Sequence, residues 1–233
     1  MKHIYALLIL TIVGILPISA QCLTLEYNIG YATYNMNDPK DFIQKVNPSF
    51  YLNNLKVNDN FPGYITHEGK IGLEWKNIHQ AGILLGYINT VGNKGVADYS
   101  GSYNVDFRIK GIRLGAFYRF TLPDMTKKRI CPYLQLSSGT VFNDGTIKEC
   151  LYLEGQGESS ESLSLGGTNF FIEPAIGCKI KLLPKVALTV SIGFEWDISK
   201  KFTANEGSVN IQPDWSGLRI QGGVIYYIPL SKH

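Results

Sequence analysis

Beyond its first twenty residues this chain has no long apolar run, so it offers no helix able to cross a membrane. Histidine is scarce, at 4 of 233 residues, and no HExxH, P-loop, GxSxG or CxxC pattern occurs. Cysteine is limited to Cys22, Cys131, Cys150 and Cys178, none in a metal-type spacing. They read as isolated thiols in packed positions, with Cys131 and Cys178 on opposite faces of neighbouring strands. Neither sign of charge dominates: the formal net charge is +3, a bias too weak to argue for nucleic acid or an acidic substrate. A mean hydropathy of −0.01 describes neither a helical membrane protein nor a disordered chain. It is the average expected when half the residues of each strand are apolar and half polar.

Such strands are present. From Val186 to Ile198 every second residue is large and apolar: Val186, Leu188, Val190, Ile192, Phe194, Trp196 and Ile198. Between them stand Ala187, Thr189, Ser191, Gly193, Glu195 and Asp197. Strand side chains alternate between two faces, so this is one strand with one apolar and one polar face. At about 3.3 Å per residue and a tilt of about 40°, thirteen residues reach roughly 33 Å, enough to cross the apolar band of a transmembrane barrel. The polar set is rich in small residues, which suit a narrow lumen and have no reason to line a wall washed by solvent. The apolar face is therefore expected to meet lipid.

The chain opens on Lys2 and His3, an apolar run from Ile4 to Leu16, and Pro17-Ile18-Ser19-Ala20. This is the pattern of a secretory signal peptide over residues 1–20, with cleavage before Gln21. Residues 21–233 then form one all-β domain. Expected strands run over 23–34, 64–76, 80–89, 103–120, 130–142, 167–182, 186–198 and 215–230. Their connections alternate between long and short. In the first long loop, Asp38-Pro39 looks like a helix start with Asp38 as its cap. The second runs over 90–100. In the third, Asn143-Asp144-Gly145 signals a turn and 146–162 a protruding hairpin arm carrying Glu149, Glu154, Glu158 and Glu161. Within 103–120 the apolar phase shifts: Val105, Phe107 and Ile109 keep one parity, and Ile112, Leu114, Ala116, Tyr118 and Phe120 the other. A β-bulge at Lys110-Gly111 is the expected cause. Aromatics fall near strand ends in two belts: Tyr31, Trp196 and Trp215 at the outer end, and Trp75, Tyr118, Phe120 and Tyr226 at the inner.

Together these features give an all-β, eight-stranded antiparallel up-and-down transmembrane barrel with long loops on one side. The sequence resembles the eight-stranded outer-membrane β-barrel proteins, the OmpA/OmpX-like group. Gln221, Gly223, Tyr226 and Ile228 match the spacing of that group's C-terminal assembly signal, although the chain continues past it. The resemblance implies the outer membrane of a Gram-negative-type envelope, contact with its lipid and lipopolysaccharide, and handling by the barrel-assembly machinery during insertion. No cofactor is expected, and the weak charge bias gives no nucleic-acid partner. The face expected to line the lumen carries six acids, Glu26, Glu68, Glu74, Glu173, Glu195 and Asp197, and six bases, Lys70, Arg113, Arg119, Lys179, Lys181 and Arg219. In a confined interior such charges pair, because an unpaired buried charge is costly. The expected role is structural or surface recognition through four outer loops, the lumen closed by these charges. A narrow channel whose pairs exchange partners is the second reading. A lipid-modifying enzyme using His67 as general base is the third.

Overall fold

The computed structural model describes residues 22–46, 55–126, 128–155, 157–198, 202–204, 207–208 and 211–230. The expected signal peptide lies outside them. Strands β1 (Cys22–Ala32), β3 (Tyr64–Trp75), β4 (His79–Asp98), β5 (Gly101–Thr121), β6 (Ile130–Leu153), β7 (Gly157–Leu183), β8 (Val186–Ile198) and β11 (Gly217–Pro229) form the main wall. Each pairs antiparallel with its sequence neighbour, and β11 returns to pair with β1, for example Leu25 with Tyr226. The sheet therefore closes into an eight-stranded barrel without a free edge through this zone. Short additions occur at the end of the wall above it: helix α1 (Asn37–Lys45), β2 (Lys56–Asn60) on β4, and β9 (Thr203–Ala204) with β10 (Gly207–Ser208) beside β7.

The alternation resolves as an outward apolar girdle. Leu25, Ile71, Leu85, Leu114, Leu134, Ile176, Val190 and Ile220 all point out and are exposed, Leu85 at 58%. Tyr31 and Trp196 stand at one rim of this girdle, and Tyr118 and Tyr226 at the other. An exposed apolar band of this extent has no place in water but is what a bilayer requires of a closed barrel. Tight turns lie at the end near Tyr118. One of them, Lys76-Asn77, has φ of 54° and 56°, the pair of positive values that a type I′ hairpin needs. Long strands with tight turns below and an elaborated rim above form the plan of outer-membrane barrels, and the barrel sits in that membrane.

Five expectations require correction. The second long loop is mostly strand, β4 running on to Asp98; the third holds the expected hairpin arm, but as a continuation of the wall, β6 running to Leu153 and β7 back from Gly157. Asn143-Asp144-Gly145 is no turn but mid-strand, paired with β5 and β7. No bulge occurs at Lys110-Gly111; the register of β5 runs unbroken against both neighbours. Val105, Phe107 and Ile109 point inward, in the same phase as Arg113 and Arg119. Trp215 is not a belt residue either. It is fully buried and donates its indole N–H to Asn143 Oδ1 at 2.7 Å. Helix α1 forms, but Asp38 does not cap it. Met36 takes that place in a left-handed conformation, and Asp38 sits in the first turn, accepting from the backbone N–H of Gln212 at 3.1 Å.

Candidate functional site: lumen charges and crown

Ten of the twelve expected lumen charges point into the barrel and are buried. Eight of them form one continuous chain. Arg119 meets Glu26 through two parallel bonds, Nη1–Oε2 at 2.9 Å and Nη2–Oε1 at 3.0 Å. Lys70 joins Glu26 at 3.8 Å and Glu68 at 3.0 Å. Glu68 meets Arg113 at 2.6 Å, and Arg113 also meets Glu173 at 2.5 Å and Glu195 at 2.7 Å. Arg219 ends the chain, 2.8 Å from Glu195 and 3.6 Å from Glu173. Four bases and four acids thus neutralise one another across the bore. Lys179 and Glu74 form a separate pair at 2.8 Å near the lower mouth. The planar guanidinium allows both bidentate pairing and stacking. Arg119 lies over the Tyr133 ring and Arg113 over Phe171, each at 4.3 Å. Gln80 and Gln135 complete the shell of Arg119.

The other two expected members are elsewhere. Lys181 is exposed at the lower rim and donates to the Thr126 carbonyl at 2.5 Å. Asp197 makes no ion pair among the described residues. Its Oδ2 accepts from Asn169 at 2.8 Å and from the Trp215 backbone at 2.9 Å, tying β8 to the segment before β11.

Above the charges the interior changes character. Ile88, Ile109, Val141 and Phe171 lead into a buried apolar core of Phe61, Phe107, Leu165, Phe202 and Trp215. Phe61 and Phe42 meet Phe107 edge to face at 5.5 and 5.7 Å. Helix α1 presses Ile43 and Phe42 onto this core. Buried Lys94, on the inner face of β4, donates to the carbonyls of Gln44 and Val46 at 2.9 and 2.8 Å, where the helix leaves its last carbonyls open. Sequence reasoning missed this capping Lys94 and the inward aromatics. Their signal was there, since Gly92, Lys94 and Val96 share the parity of lumen residues Leu84 and Ile88.

His67 points outward and bonds the Tyr27 hydroxyl through Nδ1 at 2.8 Å, not a serine or a carboxylate. His79 is bonded in the same way to Tyr118 at 2.7 Å. All four cysteines are free thiols, and Cys131 pairs in register with Lys179 while Cys178 pairs with Pro132, which puts the two on opposite faces. Gln221, Gly223, Tyr226 and Ile228 all lie in β11; Gln221 is buried toward the bore and Tyr226 exposed.

No family model and no curated protein matches the chain. Among solved structures it is similar to Neisserial surface protein A, at 13% identity over 88% of this chain and 96% of that one, with a TM-score of 0.45. It is similar to the outer membrane protein OprG from Pseudomonas aeruginosa, at 11% identity over 91% and 98%, with a TM-score of 0.47. A third likeness is to the outer membrane protease OmpT from Escherichia coli, at 8% identity over 90% and 96%, with a TM-score of 0.39. By its ring of strands and its outward girdle, the chain has the eight-stranded outer-membrane β-barrel fold of the OmpA/OmpX-like proteins.

Proposed function

We propose that this protein is a closed outer-membrane barrel that works through its extracellular crown, in surface recognition, rather than by passing solutes. The observation that carries this reading is the double filling of the bore. The chain from Arg119 to Arg219 spans the lumen within the membrane, and the Phe61–Phe107–Phe202 core with α1 fills the space above it. Moving an ion through would require separating buried pairs at a cost of about 3–5 kcal/mol for each orphaned charge, and then parting a close-packed apolar core. An eight-stranded barrel is just wide enough for its own side chains, which agrees with this filling. The crown, by contrast, offers long exposed strand ends, and function collects on such exposed segments held by a rigid scaffold. Lipid and lipopolysaccharide surround the girdle, and β11 with Gln221, Gly223, Tyr226 and Ile228 would be the segment read by the barrel-assembly machinery.

Planar-bilayer recording tests the reading. Purified protein should give no steady ohmic current, while a variant that removes both the ion chain at Arg113 and the cap at Phe107 should leak. Steady conductance from the native protein would overturn the proposal in favour of a narrow channel.

A further inference from the structure

The outer flank of the crown holds a pocket of about 600 Å³ between β2, β4 and β5. That volume is within the usual range of small-molecule sites, about 300–1,000 Å³. Gly95 pairs with Asn104 and with Lys56, and Ala97 pairs with Ser102, so these residues share the outward face. Gly95, Ala97 and Ser102 make a floor of small side chains. Lys56, Asn58, Asp98 and Asn104 stand around it.

The polar groups of one wall are wired together before any ligand arrives. Asn58 Nδ2 donates to Asn93 Oδ1 at 2.9 Å, and Asn93 Nδ2 donates to Asn104 Oδ1 at 2.9 Å and also to Asp106. Asn104 Nδ2 donates to Asp106 Oδ2 at 2.9 Å. Each amide fixes the orientation of the next, so little side-chain entropy remains to be lost on binding. Across the pocket Asp98 is held by the Ser100 hydroxyl at 2.6 Å and by the amides of Ser100 and Gly101 at 2.8 and 3.1 Å. One lysine and one aspartate at the rim cancel in charge. Beside Asp98, at the hairpin tip, Tyr99 is 93% exposed, an aromatic face with no cover among the described residues.

We infer that this pocket binds a neutral pyranose unit of the sugars carried by the surrounding membrane lipids. The fixed amides of Asn58 and Asn104 and the held carboxylate of Asp98 set donors and acceptors around one floor, as adjacent ring hydroxyls require. Tyr99, next in sequence to the lining residue Asp98 and itself exposed, would give the ring's C–H face a surface to stack on. Height selects the source. Asn104 lies eight residues above girdle residue Ile112 on β5, roughly 20 Å at 3.3 Å per residue and a 40° tilt, and the pocket faces sideways over the membrane.

The inference deepens the surface-recognition reading and rests on it. Its test is saturation-transfer NMR on the full mature chain in nanodiscs, with glucose, galactose and N-acetylglucosamine as probes. A second arm uses lipopolysaccharide with complete and with truncated sugar chains. Ala97→Trp, which fills the floor, should weaken binding at least tenfold, and Asn58→Ala several-fold, while Lys185→Ala in the tight turn at the other end of the barrel should change nothing. Heat-modifiable migration on gels shows that each variant is folded. Binding of complete but not truncated lipopolysaccharide supports the lipid source. No transfer from any probe, transfer unaffected by Ala97→Trp in a folded protein, or binding of free sugars without any preference for complete lipopolysaccharide overturns the inference. Bilayer current is read separately, so a channel would sink the closed-barrel reading whatever the sugar result.

Discussion

The lower and upper halves of β5 are one strand in one register, yet their inward faces are chemical opposites. Below Gly111 the strand turns Arg113, Phe117 and Arg119 inward among acids; above it Val105, Phe107 and Ile109 point into a core that would suit a water-soluble protein. The outward faces reverse in the same place, from Leu114 and Ile112 to Lys110 and Arg108. What lies outside the wall decides this. In hydrocarbon the outer face must be apolar, and the polar residues can only be satisfied within. Once the strand rises into water, apolar side chains go inside for the ordinary hydrophobic reason. The molecule is a membrane barrel with a globular crown grown on the same strands.

Substitutions can break that contrast, and their effects rank by how much uncompensated charge or polarity each one leaves away from water. Arg113→Met should be the most damaging, because Glu68, Glu173 and Glu195 lose their shared cation in a buried site. A loss of about 3–5 kcal/mol is expected in urea unfolding from lipid vesicles. Leu85→Arg, placing a charge on the lipid face near the middle of the girdle, should cost about 2–4 kcal/mol in the same assay. Lys94→Met removes the donor to Gln44 and Val46 and should cost about 1–3 kcal/mol. That loss should appear as faster hydrogen exchange in α1, with the girdle strands unchanged. The weakest effect belongs to Lys45→Ala. It deletes only the solvent-exposed partner of Asp41 at 3.7 Å and should change stability by less than about 0.5 kcal/mol.

Much of the lower half was legible from alternation. β8 spans Val186–Ile198 as its pattern indicates, and the bounds of β3 differ by one residue. The upper half misleads for a physical reason. A rule that sends apolar residues outward holds only inside the bilayer. Above it the rule inverts, so Val105–Phe107–Ile109 reads as a slipped phase and the polar outer face of β4 and β6 reads as loop. Trp215 misleads in the same way: an aromatic near a strand's outer end reads as a lipid-interface residue, but at that height the crown's own core has begun. The lumen charges were recoverable as residues by parity alone, whereas their partners were not. Which acid meets which base depends on stagger around the ring, and nothing in one strand's sequence encodes that. Lys181 and Asp197 share the parity but sit too near the ends to join the chain.

A nitroxide scan along β5 from residue 104 to 120, reading collision with oxygen and with a water-soluble nickel complex, tests the reversal most directly. Odd positions should be shielded from both reagents throughout, while even positions favour nickel from 104 to 110 and oxygen from 112 to 118. A change of parity between 109 and 112 would contradict the unbroken register and the two-part interior built on it.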